Sequence, residues 1–172
     1  MKAEEGHASS RLSVGSWCLY DWGTSAFATV IITFIFSVYF GRGIVGDETL
    51  GAAYWGWAMA ASGLLIALTS PVMGAVADQY GARKPWVVGL TLICAVATAL
   101  LFLGTPGAGW GGILMVLVLV VLANAAFELA LVFNNAMLPH LVAPPYLGRV
   151  SGWAWGAGYA GGLFCLTVAL LG

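Results

Sequence analysis

Two carboxylates interrupt otherwise apolar stretches of the chain: Asp21 within residues 16–40 and Glu128 within residues 112–133. A carboxylate at the centre of a lone membrane helix costs about 2.5–3.5 kcal/mol on insertion scales, so such a group needs water, a proton, a cation or a polar partner. The neighbours are themselves polar. Thr24 and Ser25 follow Asp21 at the three- and four-residue spacing that shares a helix face. Asn124 precedes Glu128 by four residues and Asn135 follows it by seven, whereas Asn134 is offset around the helix. One reading is a cavity lined by the first and fourth apolar stretches that binds a polar solute or a proton through Asp21, Thr24, Ser25, Asn124, Glu128 and Asn135. The other is that Asp21 snorkels to water at the membrane surface and Glu128 hydrogen-bonds between helices. Both stand at the level of sequence.

Other chemistries find little material. His7 lies in a polar tail and His140 in a connector, and neither H-E-x-x-H nor G-x-S-x-G occurs. With no nucleophile–base pair and no metal spacing, we expect no catalytic residues, no metal, no cofactor and no enzyme activity. Cys18, Cys94 and Cys165 are isolated within apolar runs and read as reduced packing residues. A net charge of -1 gives no basic field, so nucleic acid is not an expected partner.

The elements that must position these groups follow from composition. Hydrophobic residues make up 61% of the 172 and charged residues 8%, against about 25% charged in soluble domains. Such a chain cannot clothe a water-facing surface, and the lipid bilayer becomes its first partner. A spanning helix needs roughly 20 apolar residues. Five stretches qualify, at 16–40, 53–77, 86–104, 112–133 and 150–171. The expected fold class is therefore an all-α membrane protein of about five transmembrane helices, preceded by a polar cytoplasmic tail at 1–15 that lacks the apolar core of a signal peptide. Lys2 and Arg11, Arg83 and Lys84, and Arg149 all fall on one side of that arrangement, and only Arg42 on the other. The asymmetry predicts a multi-pass protein with a cytoplasmic N-terminus. Tryptophans and tyrosines crowd the ends of the stretches, at the headgroup level that amphipathic rings prefer.

The connector between the second and third stretches carries a pattern of its own: Gly74, Asp78, Gly81, Arg83, Lys84 and then Pro85. Gly74 would permit close helix approach, Gly81 a turn with positive φ, and Asp78 pairing with a basic group or a helix N-terminus. The spacing resembles the loop motif G-x-x-x-D-[RK]-x-G-[RK]-[RK] of the major facilitator superfamily, with Gln79 in place of a basic residue and Ala82 interposed before Arg83. Three further segments are similar to one branch of it, the vacuole-effluxer-like (autophagy-related amino-acid effluxer) family. They are the run from Ser16 to Phe27 (S-W-C-L-Y-D-W-G-T-S-A-F), the run from Phe133 to Pro139 (F-N-N-A-M-L-P), and the run from Arg149 to Gly162 (R-V-S-G-W-A-W-G-A-G-Y-A-G-G). Gly23, Thr24 and Asn134 depart from the branch pattern.

The resemblance implies secondary active transport of a small solute by alternating access, with amino-acid efflux as a candidate, protons as a candidate coupling ion, and the connector as a conformational latch. It places the protein in a cell membrane of the bacterial inner-membrane type. A complete facilitator has two related six-helix halves. Five stretches correspond to part of the first half, so the resemblance implies a truncated or partial chain whose missing half or partner chain supplies the opposite wall. A non-transporting membrane subunit that pairs with a partner chain is the alternative. In the last stretch, Gly148, Gly152 and Gly156, and again Gly158 and Gly162, recur every four residues, a pattern that lets helix backbones approach closely.

Overall fold

A computed structural model of the chain describes residues 11–81 and 83–171. Among the described residues all regular elements are helical, and five segments are long and apolar enough to cross a membrane: Leu12–Val45, Glu48–Ala77, Lys84–Leu103, Gly109–Leu141 and Pro144–Leu171. Helices are the expected answer to lipid, which offers no water to free backbone groups. The expectation of an all-α membrane protein with five spans holds. The spans are longer than composition suggested, because the helices continue through their polar flanks. The second, Glu48–Tyr80, has 33 residues. At about 1.5 Å per residue that is roughly 50 Å, well beyond the ~30 Å hydrocarbon core. The first helix is already formed at Arg11, inside the segment expected to be tail, while residues 1–10 lie outside the described part.

The first span is not one regular helix. It opens as α1 (Arg11–Ala26) and passes into a π-helical stretch at Phe27–Phe34. After an interruption at Ile35 it continues as α2 (Phe36–Tyr39) and a second π-helical stretch at Phe40–Val45. The i→i+5 pattern widens the helix and is rare outside special sites. Gly46 then turns the chain with φ 77°. Asp47 caps α3 (Glu48–Tyr80) by accepting from the backbone N–H groups of Thr49 (2.8 Å) and Leu50 (2.9 Å). Within α3, Pro71 removes the N–H that the Ala67 carbonyl would otherwise accept. Gly81, at φ 64°, ends this helix in the left-handed conformation expected of it. The third span is α4 (Lys84–Leu100), which opens with Pro85 in its first turn. The fourth is α5 (Gly109–Leu141), with Pro139 near its end. The last is α6 (Leu147–Leu171).

The chain divides into two compact units, one of residues up to Ile31 with Asn135–Gly172, the other Ile32–Asn134. In the second unit the core gathers on α5, where Val116, Val120 and Ala123 have no exposed surface. Phe40 is equally buried and tilts against Trp55, with ring centroids 5.5 Å apart. Here the first span crosses α3 at Gly41 and Gly51, where a Cβ on Gly51 would run into the Gly41 backbone. Trp86 of α4 stacks on Phe133 of α5 at 6.0 Å. In the first unit Trp17, Val150 and Ala154 form the core, with Cys18, Leu138 and Leu141 packed around it.

Candidate functional site

Asp21, Thr24 and Ser25 all sit on the last two turns of α1, half-buried. Both hydroxyls turn back onto the helix. Thr24 Oγ1 donates to the Tyr20 carbonyl at 2.9 Å, and Ser25 Oγ donates to the Asp21 carbonyl at 2.7 Å. This is how Ser and Thr satisfy their protons in an apolar helix, and it leaves their lone pairs as acceptors. The side chain of Asp21 is directed at α6. A Cβ placed on Gly158 would lie 2.9 Å from both Asp21 Oδ2 and Ser25 Oγ. One turn further along, a Cβ on Gly162 would meet Thr29 Oγ1 at 2.5 Å, and one on Gly161 would strike the Trp22 carbonyl. The polar stripe of the first span is therefore Asp21, Ser25 and Thr29, at i, i+4 and i+8, and the last span is what covers it.

The glycines doing this are Gly158, Gly161 and Gly162. A Cβ on Gly148, Gly152 or Gly156 would meet nothing within 4 Å, so that stripe makes no close approach among the described residues. Trp22 and Phe164 extend the contact between α1 and α6, with ring centroids 5.9 Å apart.

In the other unit, Glu128 lies on an exposed face of α5 although the residues beside it, Phe127 and Leu129, are buried. Four residues earlier, Asn124 turns inward. Its Nδ2 donates to Ser62 Oγ of α3 at 2.9 Å, and Ser62 has no exposed surface. Asn124 thus joins two helices through one N–H of its amide. Ser62 was missed by sequence reasoning, since a single serine in an apolar run carries no periodic signal. Thr29 was missed too, although its place two turns after Asp21 could have marked it. Asn135 is exposed further along α5, and Asn134 is buried. Asp21 and Glu128 belong to different compact units.

An exposed carboxylate in a span of this apolarity must face water, a polar solute or another protein group, because lipid would impose the insertion cost given above. Among the described residues no three His, Cys, Asp or Glu side chains gather as a metal site. Cys18, Cys94 and Cys165 are free thiols.

The connector after α3 keeps its turn chemistry. Gly81 supplies the positive φ, and Lys84 is exposed at the first position of α4. A Cβ on Gly74 would meet nothing within 4 Å, so among the described residues no helix packs closely there. The backbone of Asp78 belongs to α3, while its side chain and Ala82 lie outside the described residues. Arg83 is half-buried ahead of α4.

Comparison with known proteins joins these observations. The model of the family described as vacuole effluxer Atg22-like matches residues 43–147. The chain is also 28% identical over 162 residues to a Bacillus subtilis (strain 168) protein named as an uncharacterized transporter of the major facilitator type, YxiO. That alignment covers 91% of this chain and 37% of the relative, so the chain spans a little over a third of that protein's length. No solved structure matches the present chain.

Proposed function

The chain belongs to the vacuole effluxer Atg22-like family, and from that premise we propose that it serves secondary active transport of a small polar solute by alternating access. The observation that carries this reading is Glu128, a carboxylate on an exposed face of an otherwise apolar span. In a transporter that face borders a water-filled pathway, where an ionisable group can bind a solute amine or a proton. Asn135 lies on the same helix seven residues on and adds an amide to the wall.

Asp21, in the other compact unit, is a second titratable candidate for the transport pathway, argued on its own surroundings. Ser25 lies beside it and Thr29 continues the line of acceptor oxygens along one face of the first span. A carboxylate within an apolar span is a candidate for proton coupling, and each of the two units carries one. Amino acids suit the site as solutes, since their ammonium group pairs with a carboxylate, and the family's description as effluxers favours export. The connector motif with Gly81, Arg83 and Lys84 fits a conformational latch on the cytoplasmic side. The distribution of Lys and Arg supports a cytoplasmic N-terminus in a cell membrane.

The test is efflux of radiolabelled leucine from proteoliposomes, with and without an imposed proton gradient, followed by a panel of other neutral amino acids. Flux that depends on the protein and is lost in Glu128→Gln at unchanged helix content supports the reading. Flat traces for every solute would remove it.

A further inference from the structure

The wall opposite Asp21 is glycine. Gly158 brings only backbone and Cα hydrogens to the carboxylate, and the point where its side chain would begin lies 2.9 Å from both Asp21 Oδ2 and Ser25 Oγ. Real Cβ atoms do not tolerate such contacts, so any larger residue at 158 must move one or both oxygens. The neighbouring contacts are of another kind. Gly161 abuts the Trp22 carbonyl, a backbone atom that cannot move without separating the helices, and Gly162 abuts Thr29 Oγ1. Gly156, half a turn away, has open space where a side chain would go. The glycines of α6 therefore divide by what they touch: one sets helix separation, and another borders the two polar atoms of the α1 stripe nearest its start.

We propose that Gly158 is a positioning residue for Asp21, holding room between α1 and α6 for the carboxylate and the Ser25 hydroxyl. The proposal rests on the reading of Asp21 as part of the transport pathway. A carboxylate aimed at a glycine surface meets no side-chain donor there, so a proton or a solute amine can serve as its partner without first displacing one from α6. A methyl at 158 fills that room.

The measurement is the infrared carboxyl band of Asp21 in the purified chain, assigned by its loss in Asp21→Asn. Gly158→Ala is expected to shift this band at unchanged helix content. Adding Ser25→Ala to Gly158→Ala frees one of the two crowded positions and returns the band toward its original place. Gly156→Ala leaves it where it was. A folded Gly158→Ala protein with an unmoved band overturns the proposal, as does an equal shift in Gly156→Ala. If Gly158→Ala does not fold, recovery of fold in the Ser25→Ala double variant supports the proposal. Failure to recover overturns it, because Gly158 would then act on helix separation alone. Leucine flux separates the two levels of argument: wild-type flux in Asp21→Asn removes the pathway reading, whereas an unmoved band in Gly158→Ala removes only the role of Gly158.

Discussion

Replacing Ser62 by alanine tests the internal polar contact most directly. Ser62 has no exposed surface, and its Oγ accepts from Asn124 Nδ2 at 2.9 Å, so the substitution deletes one well-formed hydrogen bond and one atom. Stranding a buried donor costs about 1–3 kcal/mol in general. Interhelical bonds in membranes average about 0.6 kcal/mol, with a maximum near 1.7, because the loosened amide finds other partners. Asn124 is only half-buried, which favours the lower range, and we expect Ser62→Ala to cost about 1 kcal/mol. Asn124→Ala removes the same bond and more packing, and should cost about 2 kcal/mol. The double variant should be less destabilised than the sum of the two, with a coupling of roughly 0.6–1.7 kcal/mol. Reversible unfolding in mixed detergent micelles, followed by tryptophan fluorescence and far-UV circular dichroism, supplies the four free energies of the cycle. A coupling below about 0.3 kcal/mol, within ordinary additivity, would show that the two side chains act independently and refute the assignment of Asn124 as a helix-joining residue.

Other outcomes follow from single residues. Gly161→Ala drives a methyl into the Trp22 carbonyl and should destabilise the protein by about 1–3 kcal/mol, while Gly156→Ala should leave the melting curve in place; equal effects would contradict the α1–α6 contact. Asp47→Ala removes the acceptor for two N–H groups at the start of α3 and should cost about 1 kcal/mol, with Asp47→Asn largely preserving stability in the same unfolding assay. Arg42→Ala breaks an ion pair with Glu48 of 2.8 Å whose side chains are 66% and 68% exposed, and the stability change should stay within about 0.5 kcal/mol. Glu128→Gln should keep the fold and cut leucine flux about tenfold or more, the scale of one lost charged hydrogen bond; undiminished flux would take Glu128 out of the pathway.

Composition determined the solvent of this protein, and the solvent determined the class of structure. With 8% charged residues the chain needs lipid around it, and lipid allows only backbones that satisfy themselves. Five spans, the left-handed turn at Gly81 and the two ionisable intruders were all legible for that reason, since each depends on residue type and local spacing alone. The ends of the spans were not. Hydropathy marks the hydrocarbon thickness, whereas helices such as α3 and α5 run on through caps and polar flanks. The π-helical stretches of the first span were equally silent: Phe27–Phe34 reads as ordinary apolar helix, and Phe40–Val45, with Gly41, Arg42 and Gly43, reads by composition as the end of a span.

Tertiary structure alone decided which polar faces meet which helices. Periodicity put Asp21 and Ser25 on one face of α1, yet only the crossing with α6 showed that glycines at 158 and 162 cover it, with Gly161 against the Trp22 carbonyl, and that those at 148, 152 and 156 do not. All six are glycines in one helix, and a helix of nearly uniform apolarity carries no stripe to say which side turns inward. Asn124 and Glu128 share a face by spacing, but one is drawn to Ser62 and the other stays exposed. In water the hydrophobic effect writes the buried side into the sequence as a period. In a membrane both sides of a helix are apolar, so orientation depends on where small residues let backbones approach and where polar atoms find partners, and those choices become visible only when the helices are packed.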